Sequence, residues 1–293
     1  MSLKNARACP MCGGRPKGES FPYATKFNDV RFSYLSCGTC QTVFVDPVPD
    51  VQTFARMYAK SAYHDQYYDG GESAQYHESV QLLGKYLEPQ AKVLDYGCGV
   101  GSFLKACGAQ GFVPFGVEFD SDAAQFAAKN ANCHAMSVED FQQLPNPPSF
   151  DAIHLGDVLE HLPNPSATLK ELLCSLKQGG VLFVEGPLEN NSSPVFWAAR
   201  VFGAVKRVVK PTFLPQNPPT HLLRTDATAQ KNFFSHVDPR LTVHHWQIYE
   251  TGWPYASGGL IKRSVASLAK LMGGRVFVGL VFGNRFKAIL VKA

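Results

Sequence analysis

Across 293 residues no uncharged apolar stretch reaches the length of a membrane-spanning helix, about 20 residues. The nearest candidates, Val195–Val209 and Val276–Val291, are interrupted by Arg and Lys. The opening MSLKNARACPMC has no apolar core of a secretion signal, so a cytoplasmic location is expected. Internal repeats and low-complexity tracts are missing too, which excludes solenoid and disordered classes. Acidic side chains become scarce late in the chain: residues 200–293 hold 3 against 14 basic ones, a net +11. Residues 1–199 hold 21 acidic and 14 basic side chains, so a formal total of +4 conceals two halves of opposite sign. An anionic partner is expected on the C-terminal side.

What is present starts with cysteine. There are eight, and without a secretory context they point to thiols or metal ligands rather than a disulfide framework. Four form two C-x2-C pairs, Cys9-Pro-Met-Cys12 and Cys37-Gly-Thr-Cys40. Each pair can place two thiolates on one side of a tetrahedral ion, and the neighbouring glycines suit tight turns. Structural zinc is the leading chemistry and a redox pair the competing one. Strands are expected at Arg31–Ser36 and Gln41–Val45, giving a zinc-ribbon-like module over residues 1–50. Cys98, Cys107, Cys133 and Cys174 have no partner spacing.

Residues 51–90 read as a helical linker or lid, with helices near Val51–Lys60 and Ser73–Leu87. Between them runs an aromatic loop with Tyr63, His64, Tyr67, Tyr68 and Gly70-Gly71. From Ala91 short apolar runs alternate with helical patterns, as in a parallel sheet covered on both faces. Leu241–Tyr249 and Arg285–Lys292 bring the strands to about seven, so residues 91–293 form an α/β, Rossmann-like domain with helices on both faces.

The run Val93-Leu-Asp-Tyr-Gly-Cys-Gly-Val-Gly-Ser-Phe-Leu104 puts Asp95 at a strand end, with Gly97, Gly99 and Gly101 leading into a helix. Ligands of such sheets bind at the carboxyl ends of the strands. The nicotinamide-dinucleotide pattern would need a glycine where Ser102 stands. The D-x-G-x-G-x-G form instead resembles motif I of class I S-adenosylmethionine-dependent methyltransferases. Gly116-Val-Glu-Phe-Asp120, Ser137-Val-Glu-Asp140, Phe150–Pro165 with its LEHLPNP run, and Leu176–Glu185 are similar to that family's later segments, in order. The LEHLPNP run resembles the branch that includes ubiquinone-biosynthesis and sugar-tailoring enzymes. The resemblance implies S-adenosylmethionine as cofactor, held by Asp95, Gly97, Cys98, Gly99, Gly101, Glu118, Phe119, Ser137, Val138, Gly156 and Asp157. Within it Glu118 would take the ribose diol and Phe119 the adenine.

A hydroxyl or acidic carbon acceptor needs a general base, for which His161 and His221 are the candidates. Substrate-side insertions are expected at about 188–240 and 251–284, each carrying an amphipathic segment with a basic side. The expected acceptor is a small, anionic molecule, a saccharide or related metabolite that is lipid- or nucleotide-linked, and peripheral membrane contact fits the same segments. An RNA methyltransferase and a non-catalytic zinc-ribbon interaction protein are the rivals. Basic residues are sparse in the ribbon, so nucleic acid is the weaker choice.

Overall fold

The structure, a computed structural model, describes residues 6–58 and 76–293. The chain begins as an antiparallel meander of β1 (Pro16–Phe27), β2 (Val30–Cys37) and β3 (Val43–Asp46). Asn28 and Asp29, both at positive φ, make the two-residue turn between β1 and β2, a backbone shape these side chains tolerate and that matches strand twist. β1 was not foreseen because its polar residues alternate irregularly; register shifts between Pro16 and Gly18 and between Glu19 and Ala24 break the period. The Asp50 carboxylate accepts from Thr53 N and starts α1 (Val51–Tyr58). α2 (His77–Leu83) is shorter than expected. The aromatic loop with Tyr63, His64, Tyr67 and Tyr68 lies outside the described residues.

The second sheet is built by alternation: β4 (Lys92–Tyr96), α3 (Ser102–Ala109), β5 (Val113–Glu118), α4 (Ser121–Ala131), β6 (His134–Ser137), α5 (Val138–Gln142), β7 (Phe150–Gly156), α6 (Pro165–Cys174) and β8 (Leu176–Pro187). Val93, Leu94, Ala152, Ile153, Leu182 and Phe183 are buried, as strands covered on both faces must be. Five strands run parallel in the order β8-β7-β4-β5-β6. Two more close one edge: β13 (Arg285–Lys292) pairs antiparallel with β8, and β10 (Leu241–Tyr249) antiparallel with β13. The chain winds outward in both directions from β4, which makes the carboxyl end of β4 the topological switch point. This is the α/β architecture expected from the alternation.

Between β8 and β10 the chain forms α7 (Pro194–Val209), β9 (Leu223–Arg224) and α8 (Ala227–Val237). Beyond β10 come α9 (Leu260–Met272) and a small hairpin of β11 (Val276–Phe277) and β12 (Leu280–Val281). β9 leaves the large sheet's territory and pairs with β3, so the ribbon sheet is four-stranded, in the order β1-β2-β3-β9. Val45 N donates to Leu222 O, Lys26 N to Pro215 O and the Thr25 hydroxyl to Asn217 O. Phe32, Tyr34 and Phe44 share one apolar cluster with Leu94, Phe150 and Phe234. Full burial of a side chain such as Phe44 stabilises by roughly 1.5–3 kcal/mol.

Candidate active site

The strand order dictates how side chains follow one another along the carboxyl edge of the sheet. Val138 follows β6, Glu118 ends β5 with Phe119 just beyond it, Gly97 and Gly99 follow β4, and Asp157, Val158 and His161 follow β7. They line one groove of about 300 Å³, covered by Phe54 and Tyr58 from α1. The Phe54 and Tyr58 rings stack at 5.9 Å, and both lie within 6.5 Å of the Phe119 ring. Glu118 is buried at 7 % exposure, with one carboxylate oxygen accepting from Gly99 N and the other from Phe119 N, each at 2.7 Å. An acid between an aromatic face and a glycine backbone suits an adenine, a ribose diol and an amino-acid chain, in that order along the groove. At Gly97, with φ of 81°, a Cβ would come 2.4 Å from Val158 Cγ2, so only glycine keeps this wall close to a ligand.

Not every expected cofactor residue faces this groove. Asp95 is buried behind the loop, its Oδ1 2.7 Å from His154 Nδ1. The other ring nitrogen of His154 lies 3.2 Å from Glu185, and the ring stacks on Phe103 at 3.7 Å. Burial alone would depress His154, but the Asp95 and Glu185 carboxylates outweigh it and raise it to about 9. Cys98 packs into a small apolar cluster with Leu104 and Ala127. Gly101 is needed for packing: a Cβ there would meet Ala127 backbone at 3.0 Å, between α3 and α4. Ser137 caps α5, accepting from Asp140 N, and Gly156 leaves room for the His154 ring. Asp157 does border the groove, yet both its oxygens take Arg285 Nη2 at 2.7 Å. The glycine-loop spacing locates the switch point but does not separate residues that touch the groove from those that hold its walls.

His161 and His221 do come together, with ring centroids 4.8 Å apart. His161 Nδ1 lies 2.7 Å from the Thr220 carbonyl and 2.9 Å from the Tyr58 hydroxyl. Burial and the neighbouring His221 push His161 down to about 3. His221 Nδ1 lies 2.8 Å from the Glu189 carboxylate. Burial opposes its proton, but Glu189 outweighs burial and raises the His221 pKa. Glu189 in turn is held down at about 2 against burial by Arg224, 3.5 Å away, and by His221. Glu160, next to His161, is pushed up to about 8 by burial and by Asp157. Leu222 N donates to Glu160 O, so the ribbon-bound segment and the end of β7 are tied at this spot.

The four ribbon cysteines form a separate cluster. Cys9 and Cys40 sulfurs are 3.7 Å apart and Cys12 and Cys37 sulfurs 3.5 Å, with all four thiols free. Sulfurs about 2.3 Å from a tetrahedral zinc stand about 3.8 Å from each other, close to these two spacings, and all four sulfurs lie within 4.8 Å of one another, so the set is compatible with that ion. Thr39 N points at Cys37 Sγ at 3.3 Å, and a Cβ on Gly14 would strike that sulfur at 2.9 Å.

A doubly wound seven-stranded sheet with its antiparallel penultimate strand, a glycine-walled groove at the switch point and an acid ending the second strand define a class I S-adenosylmethionine-dependent methyltransferase. The chain belongs to the methyltransferase-domain family, whose model matches residues 68–231. It is 32 % identical over 103 residues to the ubiquinone biosynthesis O-methyltransferase of Glaesserella parasuis, a match over 32 % of this chain and 44 % of that one. It is 33 % identical over 151 residues to the enzyme of the same name from Idiomarina loihiensis, over 47 % and 60 % of the two chains. The chain thus spans about half the length of the curated relatives it matches. Among solved structures, the magnesium protoporphyrin IX methyltransferase of Synechocystis superposes with a TM-score of 0.51 at 15 % identity, covering 83 % of this chain and 100 % of that one. A methyltransferase from Archaeoglobus fulgidus superposes at 0.50 with 19 % identity, covering 79 % and 100 %. Among the described residues no helix is long and apolar enough to cross a membrane.

Sequence reasoning passed over Glu189, Arg224, Tyr58 and Phe54, which surround the two histidines or cover the groove. Glu189 follows β8 in a loop without a motif, and its meeting with His221 depends on β9 pairing with the ribbon. Tyr58 carried one available signal, its place four residues after Phe54 on one helix face.

Proposed function

We propose that this enzyme O-methylates a small, anionic acceptor, presenting the acceptor's hydroxyl to His161 and His221. The observation that carries this reading is His221 backed by the buried Glu189 carboxylate, next to the end of the groove bordered by His161. S-adenosylmethionine, when bound along Glu118, Phe119, Val138, Gly97 and Gly99, supplies an electrophilic methyl group. An acceptor oxygen forms its bond to that carbon as the carbon–sulfur bond breaks, the electron pair passing to sulfur and the acceptor's proton to His221 Nε2. Glu189 fixes the tautomer and compensates the imidazolium. Phe54 and Tyr58 exclude water from the cofactor end.

The acceptor's charge is inferred from a second groove, of about 790 Å³, between β1, α7 and α9. It is walled by Phe21, Tyr23 and Phe202 and rimmed by Lys206, Arg207 and Lys262. Its far rim, Leu214 and Pro215, continues directly into the segment carrying His221. Aromatic walls with cationic rims suit an amphiphile with an apolar body and a phosphate or carboxylate. Val208, Val209, Leu260 and Ile261 are exposed beside Lys210 and Arg263, which supports peripheral contact with an anionic bilayer where such an acceptor would reside. Zinc held by Cys9, Cys12, Cys37 and Cys40 has a structural role here, stiffening the sheet that anchors β9. The ubiquinone O-methyltransferase name of the partial relatives agrees with an oxygen acceptor.

The test is methyl transfer from labelled S-adenosylmethionine to three pools: hydroxybenzoates with apolar tails, sugar phosphates, and total RNA. Alkali-stable label in a small-molecule pool is expected, with His221→Gln reducing turnover at least 100-fold and cofactor affinity held within twofold. Label confined to RNA, or unchanged turnover in His221→Gln, would overturn the reading.

A further inference from the structure

Two cations from different elements meet over one polar pocket without a counter-charge. The pocket, of about 280 Å³, opens between β1, the turn into β3, the loop after β8 and α7. Lys17, Ser20, Ser36, Gln41, Asn190 and Arg200 line it. Pro16 pairs with Cys37 and Gly18 with Ser36, so Lys17 is an extra residue in β1, a bulge. Bulges re-aim side chains, and this one turns the Lys17 ammonium to donate to the Gln41 side-chain oxygen. Gln41 itself stands at φ of 63°, a left-handed conformation uncommon outside glycine and asparagine. Arg200 lies over the Phe196 ring at 5.3 Å. Among the described residues neither cation has a carboxylate partner. Glu19 also lines the pocket, but its charge is met by Arg31 at 3.0 Å and Arg207 at 3.6 Å, with the Ser33 hydroxyl at 3.2 Å.

We infer that this pocket binds a phosphate ester carried by the methyl acceptor, with Lys17 and Arg200 on its charge. A guanidinium and an ammonium on facing walls suit a tetrahedral dianion. The Asn190 amide donates to Gln41 O, which leaves its side-chain oxygen to accept, while Ser20 and Ser36 can donate or accept. That mixture suits hydroxyls next to the phosphate. Among the described residues no aromatic side chain lines the pocket, so nothing there stacks on a nucleotide base.

The ribbon sheet links this pocket to the acceptor histidines. Ser36, Val43 and Arg224 pair in a row across β2, β3 and β9, two strand spacings or roughly 10 Å. Arg224 Nε lies 3.5 Å from Glu189, whose carboxylate lies 2.8 Å from His221 Nδ1. Asn190 follows Glu189 directly, and its backbone N–H donates to Thr225 O just past β9. That reach suits a phosphate and a hydroxyl on one acceptor. Glu19 lines both this pocket and the aromatic-walled groove, so an apolar tail there and a phosphate here can belong to one molecule. Ser36 adjoins Cys37 and Gln41 adjoins Cys40, so the second cysteine pair fixes two of the walls. The subsite's part in turnover rests on the O-methylation reading; anion binding does not.

Glucose 1-phosphate titrated by calorimetry into the zinc-loaded, full-length protein tests the pocket, with glucose as the uncharged comparison. One equivalent of the phosphate should bind and glucose should not. Lys17→Met and Arg200→Gln should each weaken the phosphate about tenfold, the loss of one charge-assisted hydrogen bond, with S-adenosylmethionine affinity unchanged. Lys129→Met on α4 removes the same charge and should leave phosphate affinity as in the parent. Absent binding, glucose binding equally well, pocket variants binding like the parent, or equal weakening in all three variants would overturn the site. The same phosphate esterified with an octyl chain separates two sources. A gain in affinity supports a lipid-linked acceptor, and an unchanged affinity supports a free one. Methyl transfer by a chain that binds no phosphate ester sinks only the subsite. Phosphate binding by a chain that transfers no methyl group to any acceptor sinks only the O-methylation.

Discussion

His154 Nδ1 lies 2.7 Å from Asp95 Oδ1, deep beneath the glycine loop, where each group is nearly inaccessible to water. Glu185 holds the opposite ring nitrogen, Ser79 donates to Glu185, and Lys287 donates to Ser79. The network therefore joins β4, β7, β8, β13 and α2 at one point.

Its stability contribution has a defined pH window. His154 titrates near 6.5 when unfolded and at about 9 in the fold, so its stabilisation is complete below pH 6.5 and disappears as pH rises through 9. Burial would raise Glu185, but His154 and Lys287 outweigh it and hold it at about 2, so its share is complete above 4.5 and disappears as pH falls through 2. His154→Gln should then cost about 3 kcal/mol near pH 6 and much less near pH 10. Urea unfolding at the two pH values measures this. Equal losses at both would assign the role of His154 to its stacking on Phe103 instead.

Two residues both expected to meet the cofactor should behave differently. Glu118→Gln should weaken S-adenosylmethionine binding about 10- to 100-fold by calorimetry, the value of one or two charge-assisted hydrogen bonds. Ser137→Ala should cost about 1 kcal/mol of stability as a lost helix cap and leave cofactor affinity unchanged. A cofactor defect in Ser137→Ala would show that the hydroxyl leaves its cap when ligand arrives.

Glu189→Gln keeps the shape beside His221 and removes the charge. Turnover should drop at least tenfold at saturating acceptor, with the cofactor Kd unchanged. A rise in KM at constant kcat would instead place Glu189 in acceptor binding.

Zinc removal should be felt at the acceptor end before the cofactor end. Because β3 pairs with β9, a chelated or Cys12→Ser protein should lose methyl transfer while still binding S-adenosylmethionine at low temperature. Released zinc, counted with a colorimetric chelator, should approach one equivalent per chain. Loss of cofactor binding in step with zinc would mean that the two sheets melt as one.

The architecture was readable because periodicity is local. β10, β13 and α9 begin and end where their apolar patterns do, and the glycine-loop spacing locates the switch point. The acceptor end was only half readable. His161 and His221 could be named as candidates, but their meeting depends on contacts that no period encodes: Thr220 O on one ring, Glu189 on the other, and Leu222 against Glu160. Asp95 and Gly101 pose a different problem of reading. Their motif spacing is correct, yet Asp95 serves His154 and Gly101 serves helix packing, uses that look identical in sequence.

The β3–β9 ladder pairs Phe44 with Leu223, about 180 residues further along the chain. A ribosome releases the ribbon first and its last strand only after the whole parallel core has emerged. The first-made sheet must therefore wait, with one edge open, until β8 and α7 have also emerged. Such a long closure predicts a late, slow folding step, and it means that histidine alignment is completed only when the ribbon and the segment after α7 have found each other.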